Sequence, residues 1–153
     1  MGKEIERKFL VTDQTWKKLG NGTAYRQGYL STRKERVVRV RTMGGKAALT
    51  IKGPIVGVTR PEFEYEIPLD EANQLLELCE KPLIEKTRFR IDHGGLVWEV
   101  DEFHGLNEGL IIAECELESE NQEIDKPEWV GTEVTGDPRY ANTNLVARPF
   151  TVW

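Results

Sequence analysis

The 153-residue sequence is poor in the residues that usually announce chemistry, with two cysteines, two histidines and two methionines. Cys79 and Cys115 are far apart, and neither belongs to a CxxC or Cys/His cluster. That excludes zinc-ribbon and dithiol chemistry and points to a reducing, cytoplasmic setting. No apolar run approaches the ~20 residues of a membrane helix, so no membrane association is expected. The opening Met1-Gly2-Lys3-Glu4-Ile5-Glu6 runs directly into a strand pattern and is not a signal peptide. No GxxxxGK[ST] loop is present, so any bound phosphate must be held by side chains rather than by a helix N-terminus. Basic residues are outnumbered 21 to 26, a net charge of −5, which argues against nucleic acid as a partner while leaving room for a local basic pocket. Fixed repeats and low-complexity tracts are also missing.

The chain does contain strands. Its length and its 31% of charged residues suit one soluble globular domain, residues 1–153. Period-two patterns over Glu4–Val11, Ala24–Leu30, Glu35–Met43, Lys46–Lys52, Glu62–Pro68, Leu83–Ile91, Leu96–Phe103 and Leu110–Glu118 predict eight strands. Gly44-Gly45 and His93-Gly94-Gly95 read as tight turns. A short helix over Gln14–Leu19 follows Asp13, and Asp70 is expected to cap the best helix, Glu71–Cys79, with Pro82 beyond its end. A last helix is expected within Arg139–Ala147. Short, mostly hairpin-type connections indicate a mainly β (α+β) protein, an antiparallel sheet or barrel with a few flanking helices.

Nearly every strand has one charged and one apolar face. Glu4, Glu6 and Lys8 share a row, as do Arg39 and Arg41, and Lys46 and Lys52 with Ala48 and Thr50. Glu62, Glu64 and Glu66 form another row, then Lys86, Arg88 and Arg90, then Glu99 and Asp101, and finally Glu114, Glu116 and Glu118. Alternation alone leaves open which face is buried, and an ordinary small barrel would turn the charges outward. Two details weigh against that arrangement. Solvent faces usually mix signs, whereas most of these rows carry a single sign and would repel themselves unless something of opposite charge lay between them. Arginine also predominates in the basic rows, which suits forked recognition of phosphate.

Taken in order, Glu4-Ile5-Glu6-Arg7-Lys8-Phe9-Leu10-Val11, Arg26-Gln27-Gly28-Tyr29-Leu30, Arg39-Val40-Arg41, Leu49-Thr50-Ile51-Lys52, Glu62/Glu64, Glu85-Lys86-Thr87-Arg88, Glu99-Val100-Asp101 and Glu114-Cys115-Glu116 resemble the CYTH superfamily of triphosphate tunnel metalloenzymes. The segment Glu133-Val134-Thr135-Gly136-Asp137-Pro138-Arg139-Tyr140-Ala141-Asn142 resembles its small bacterial branch. The resemblance implies a closed eight-stranded antiparallel β-barrel tunnel with the charged faces lining the lumen. It also implies metal-dependent hydrolysis of a triphosphate, foremost inorganic tripolyphosphate to pyrophosphate and phosphate. The family's other activities, nucleoside triphosphatase and class IV adenylate cyclase, are the alternatives; a non-catalytic polyphosphate or nucleotide binder is an alternative of another class.

By the same resemblance, Glu4, Glu6, Glu114 and Glu116, with Asp101 as a further candidate, would hold Mg²⁺ or Mn²⁺. Such hard cations take oxygen ligands, and these positions offer nothing else. Lys8, Arg39, Arg41, Lys52, Arg88 and Arg90 would grip the substrate, with Lys86 beside them. For the proton of the attacking water there are two candidates. Lys86 lies beside Arg88 and Arg90, whose positive charge is expected to lower its pKa. Tyr29 is a phenol with a pKa of about 10 in water, and serves equally well as a structural hydroxyl. Glu62, Glu64 and Glu66 are expected to pair with the basic rows, while His93 and His104 fall in turns. The expected partner is a triphosphate-containing small molecule, for a monomer or a homodimer.

Overall fold

The computed structural model describes residues 3–153; Met1 and Gly2, placed ahead of the first strand by the sequence, lie outside the described residues. The strands are β1 (Lys3–Val11), β2 (Gly22–Ser31), β3 (Val37–Met43), β4 (Lys46–Lys52), β5 (Thr59–Glu66), β6 (Ile84–His93), β7 (Leu96–Phe103), β8 (Ile111–Glu116) and β9 (Val130–Glu133). The helices are α1 (Leu69–Leu78) and α2 (Asn142–Ala147). Strands lie in the order β5-β4-β3-β2-β6-β7-β8-β1, all antiparallel, and a β5–β1 pairing closes the eight-stranded barrel. The first residues of β1 pair with β5, and farther along β9 takes over that edge, with Phe9 opposite Glu133.

The charged rows face inward. Outer faces of β1, β6, β7 and β8 are apolar and sit under Trp16, Trp129 and the connection before β9, in a cluster built on Phe9, Ile91, Trp98, Val100 and Cys115. α1 covers β3 and β4 through Ala72 and Leu76 against Val40 and Ala47. Its end passes so close to β2 that a Cβ on Gly28 would lie 2.7 Å from Cys79 Cβ and from Leu83, which is why that strand position is a glycine. The outer apolar residues Ile51, Phe63 and Tyr65 of β4 and β5 remain exposed.

Parity also carries four apolar residues, Leu10, Ile84, Phe103 and Ile112, onto the inward face at one end of β1, β6, β7 and β8. There they meet Val134, Tyr140, Leu145 and Val146 of the C-terminal segment, which plugs that end of the barrel. From the plug outward, β6 then presents Lys86, Arg88 and Arg90, and β8 presents Glu114 and Glu116.

Several local expectations differ from the structure. Asp70 lies in the first turn of α1 and does not cap it; Pro68 occupies the cap position, and no side chain supplies the bond. The helix expected over Gln14–Leu19 is a single 3-10 turn, Thr15–Lys18, although Asp13 Oδ1 does accept from the Thr15 backbone N–H at 2.9 Å. Arg139–Ala147 divides into a 3-10 turn, Pro138–Tyr140, and α2. β9 is too short to stand out by periodicity.

Candidate active site

A cavity of about 710 Å³ runs through the lumen. Its charges are segregated by the order of the strands. The contiguous strands β4, β3, β2 and β6 supply Lys52, Arg39, Arg41, Tyr25, Tyr29, Lys86, Arg88 and Arg90. The opposite wall, β7, β8, β1 and β5, supplies Glu99, Glu114, Glu116, Glu4, Glu6, Glu62 and Glu64, with Lys8 and Arg60 as its cations.

On the basic wall, Arg39 and Arg41 are buried, with Nη2 atoms 3.5 and 3.6 Å from Glu64 Oε1. Lys52 Nζ lies 3.0 Å from Glu4 Oε1 and 3.5 Å from Glu62. The expectation that Glu62 and Glu64 pair with the basic rows therefore holds, while Glu66 makes no such pair among the described residues. The buried Nε donors of Arg39 and Arg41 have no protein partner among the described residues. Buried donors normally find an acceptor, so these are free for an anion. Burial and the neighbouring Arg39 and Arg88 bring the Arg41 guanidinium down to about 10. Arg90 is different: its side chain is 66% exposed and reaches Glu99 at 3.7 Å, which puts it at the open mouth.

Tyr25 was not singled out by sequence, although it shares a face with Gln27 and Tyr29. Its ring lies between two guanidinium groups, with the carbons of Arg41 and Arg88 each 5.0 Å from the centroid. Cross-strand register explains this. Tyr25 is opposite Met43 and Lys86, so Arg41 and Arg88 are its diagonal neighbours on β3 and β6.

Lys86 and Asp101 are the most deeply buried charges. Lys86 Nζ lies 2.8 Å from Asp101 Oδ2, and Arg88 grips the same carboxylate through Nε at 2.7 Å and Nη2 at 2.8 Å. Burial is the main cause of a lowered Lys86 pKa, with Asp101 opposing it and Arg88 adding to it. The pKa is lowered as expected and Arg88 contributes, but burial is the larger cause. Asp101, the further metal candidate, lies against Lys86 and Arg88 on the neighbouring strand. Both of its oxygens are taken by cations, which hold its carboxyl far below the usual range against the cost of burial.

The remaining carboxylates behave otherwise. Glu6 stands opposite Glu116 across β1 and β8, and Lys8 stands opposite Glu114. Burial and then Glu4, Glu62, Glu6 and Glu99 push the Glu116 carboxyl up to about 7. Burial and Glu6 raise Glu114, which the nearby Lys8 only partly offsets. Burial disfavours the Lys8 ammonium, but Glu114, Glu6, Tyr29 and Glu4 outweigh it and its pKa is raised. Mutually repelling oxygen ligands of this kind suit a hard divalent cation, which would relieve the repulsion. The carboxylates stand short of convergence: among the described residues no three Asp, Glu, His or Cys side chains already form a metal nest.

Residues 2–150 match the CYTH domain. The chain belongs to the CYTH family. It is 56% identical over 151 residues to an inorganic triphosphatase of Acetivibrio thermocellus, covering 98% of this chain and 97% of that protein. It is 37% identical over 147 residues to an inorganic triphosphatase of Nitrosomonas europaea, covering 93% and 95%. Among solved structures, a crystal structure of an inorganic triphosphatase superposes with a TM-score of 0.65 at 34% identity, over 95% of each chain. Within this CYTH barrel, Gln27 and Asn142 also escaped the sequence reading. An isolated amide carries no charge pattern, and Asn142 reaches the site only because the C-terminal segment folds back into the barrel. Among the described residues, no helix is long and apolar enough to cross a membrane.

Proposed function

We propose that this protein hydrolyses inorganic tripolyphosphate to pyrophosphate and orthophosphate in a reaction that depends on Mg²⁺ or Mn²⁺. The observation that carries the reading is the lumen itself, with basic and acidic walls facing each other across one cavity. A chain of phosphates lies along the basic wall, where Arg39, Arg41, Lys52 and Arg88, with Lys8 across the lumen, supply forked and point contacts; Arg90 meets it at the mouth. Glu6, Glu114 and Glu116, with Glu4 shared with Lys52, are the residues that would hold the metal. When bound, the ion would neutralise phosphoryl oxygens and the developing charge.

The protein's work in phosphoryl transfer is chiefly positioning and charge stabilisation. Asp101 fixes Lys86 and Arg88 side by side, so that the two cations approach the substrate as one rigid unit. The lowered pKa of Lys86 brings it nearer to accepting a proton from the attacking water. Tyr29 Oη accepts from Gln27 Nε2 at 2.9 Å and keeps its own O–H to donate to a phosphate oxygen, which favours a donor role over that of base.

A substrate made of phosphate alone is favoured by Tyr25. It and Tyr29 are the aromatic residues lining the cavity, and the Tyr25 ring is already engaged by two guanidinium groups, each 5.0 Å from its centroid, which compete with a nucleobase for it. The test is product analysis with Mg²⁺ or Mn²⁺ and tripolyphosphate, compared with ATP. Equal yields of orthophosphate and pyrophosphate from tripolyphosphate, faster than release from ATP, are expected. Faster ATP turnover or cyclic AMP formation would instead select a nucleotide enzyme. Tight binding without turnover would leave a polyphosphate binder.

A further inference from the structure

One largely buried polar chain, half-buried at Asn142, crosses from the C-terminal segment into the reacting end of the site. Lys86 Nζ donates to Asn142 Oδ1 at 3.4 Å, and the same oxygen accepts from Gln27 Nε2 at 3.3 Å. Gln27 Nε2 in turn donates to Tyr29 Oη. The chemistry of the donors fixes both amide orientations. A lysine ammonium has only hydrogens to offer, so the atom facing it must be the Asn142 oxygen. That oxygen requires the nitrogen of Gln27, and this nitrogen leaves Tyr29 Oη as the acceptor. Gln27 is wholly buried, and its Oε1 has no partner among the described residues. Its side chain is thus committed to this bridge.

The C-terminal segment does not need Asn142 for its own fold. Leu145 and Val146 anchor α2 in the plug. Asn144 Nδ2 bonds Pro138 O at 2.7 Å, Arg139 pairs with Asp137, and the Phe150 backbone N–H reaches Asn107 Oδ1 at 2.8 Å. The Asn142 amide is left over from that scheme and points to Lys86.

We propose that Asn142 is a positioning residue for the triphosphatase reaction, setting Lys86 directly and Tyr29 through Gln27. It rests on the function proposed above. With Asp101 Oδ2 taking one N–H of Lys86 and Asn142 Oδ1 taking a second, the remaining position on Nζ, a lone pair once the amine is neutral, is directed into the cavity. With one lone pair of Tyr29 held by Gln27, its O–H is directed there as well. A segment remote in sequence thereby sets the geometry of two groups on β6 and β2.

The test is steady-state kinetics with tripolyphosphate and Mg²⁺ on Asn142→Leu, Asn142→Asp and Gln27→Leu. Leucine keeps the volume of asparagine and removes the acceptor, whereas aspartate keeps an acceptor for both donors. Losing a hydrogen bond to a charged group predicts a kcat reduced about tenfold or more in Asn142→Leu, with KM changed by less than about twofold. Asn142→Asp should stay within about threefold of wild type in kcat. Gln27→Leu should show a similar kcat loss, and the double variant Asn142→Leu/Gln27→Leu should be no worse than the weaker single variant, because both cut one bridge. The proposal is overturned by an Asn142→Leu kcat within about twofold of wild type, by equal losses in Asn142→Leu and Asn142→Asp, or by a change confined to KM. If Asn142→Leu does not fold, Gln27→Leu is judged by the same kcat and KM criteria. A wild-type protein that releases no phosphate from tripolyphosphate would sink the triphosphatase reading itself; normal wild-type turnover beside an unimpaired Asn142→Leu sinks only the role of Asn142.

Discussion

Replacing Asp101 with Asn tests the electrostatic logic of the barrel most directly. The change keeps the shape of the side chain and removes one negative charge from between two buried cations. Arg88 then loses its bidentate anion, with contacts at 2.7 and 2.8 Å, and Lys86 loses its contact at 2.8 Å. In at least one orientation the new amide N–H groups also face a cation. Breaking a buried ion pair from one side costs about 3–5 kcal/mol, because the remaining charge stays buried without compensation. Two stranded cations place this variant at the upper end of that range. At ~2–4 °C per kcal/mol for a chain of this size, about 5 kcal/mol lowers the melting temperature by roughly 10–20 °C. Differential scanning calorimetry at pH 7, without metal or phosphate, measures it. Added tripolyphosphate should restore more melting temperature to the variant than it adds to wild type, since the polyanion replaces the missing charge. Removing one cation as well, in Asp101→Asn/Lys86→Met, should recover part of the loss. An Asp101→Asn protein melting within about 2 °C of wild type would refute the claim that this carboxylate holds the basic wall together.

Two further predictions follow from the lumen. Tyr25→Leu removes the ring that spaces Arg41 and Arg88, so KM for tripolyphosphate should rise about fivefold or more at little cost in kcat, whereas Tyr25→Phe should stay near wild type; equal behaviour of Leu and Phe would exclude the cation–π role. The raised Glu116 carboxyl, at about 7, means that the folded state binds a proton that the unfolded chain has already released between its ordinary pKa and about 7. By this group alone, stability falls as pH rises through that window, and a divalent cation offsets the fall. The increase in melting temperature caused by Mg²⁺ over a chelator should therefore be larger at pH 8 than at pH 5.5, and Glu116→Gln should flatten the difference and abolish metal-dependent turnover. A pH-independent increment would remove Glu116 from the metal site.

Much of the barrel is legible in the chain because a strand's period of two is a local property. The limits of β4 and β7 coincide with the reading, since glycine turns and strict alternation bound them. Helix boundaries were less legible. Asp70 has the chemistry of a cap, but Pro68 already sets an extended entry into α1. Single-sign rows such as Arg39/Arg41 and Lys86/Arg88 suggested an inward charged face, because they need a counter-charge. Asp101 resembled its neighbours Glu99 and Glu114 in pattern, and its separate role emerges only from Lys86 and Arg88 on the adjoining strand.

By itself, the sequence determined that there are strands with one charged and one apolar face, that the charges are mostly sorted by strand, and that no soft ligand or P-loop takes part. Tertiary structure decided the rest. β2 inserts between β3 and β6, and β1 closes against both β8 and β5, so strands distant in the chain become neighbours. Basic rows are thereby gathered on one wall and acidic rows on the other. Folding the C-terminal segment back plugs one end and delivers Asn142 to Lys86. Alternation fixes which residues share a face, but strand order and closure depend on contacts between residues far apart in sequence, and a local period carries no information about those.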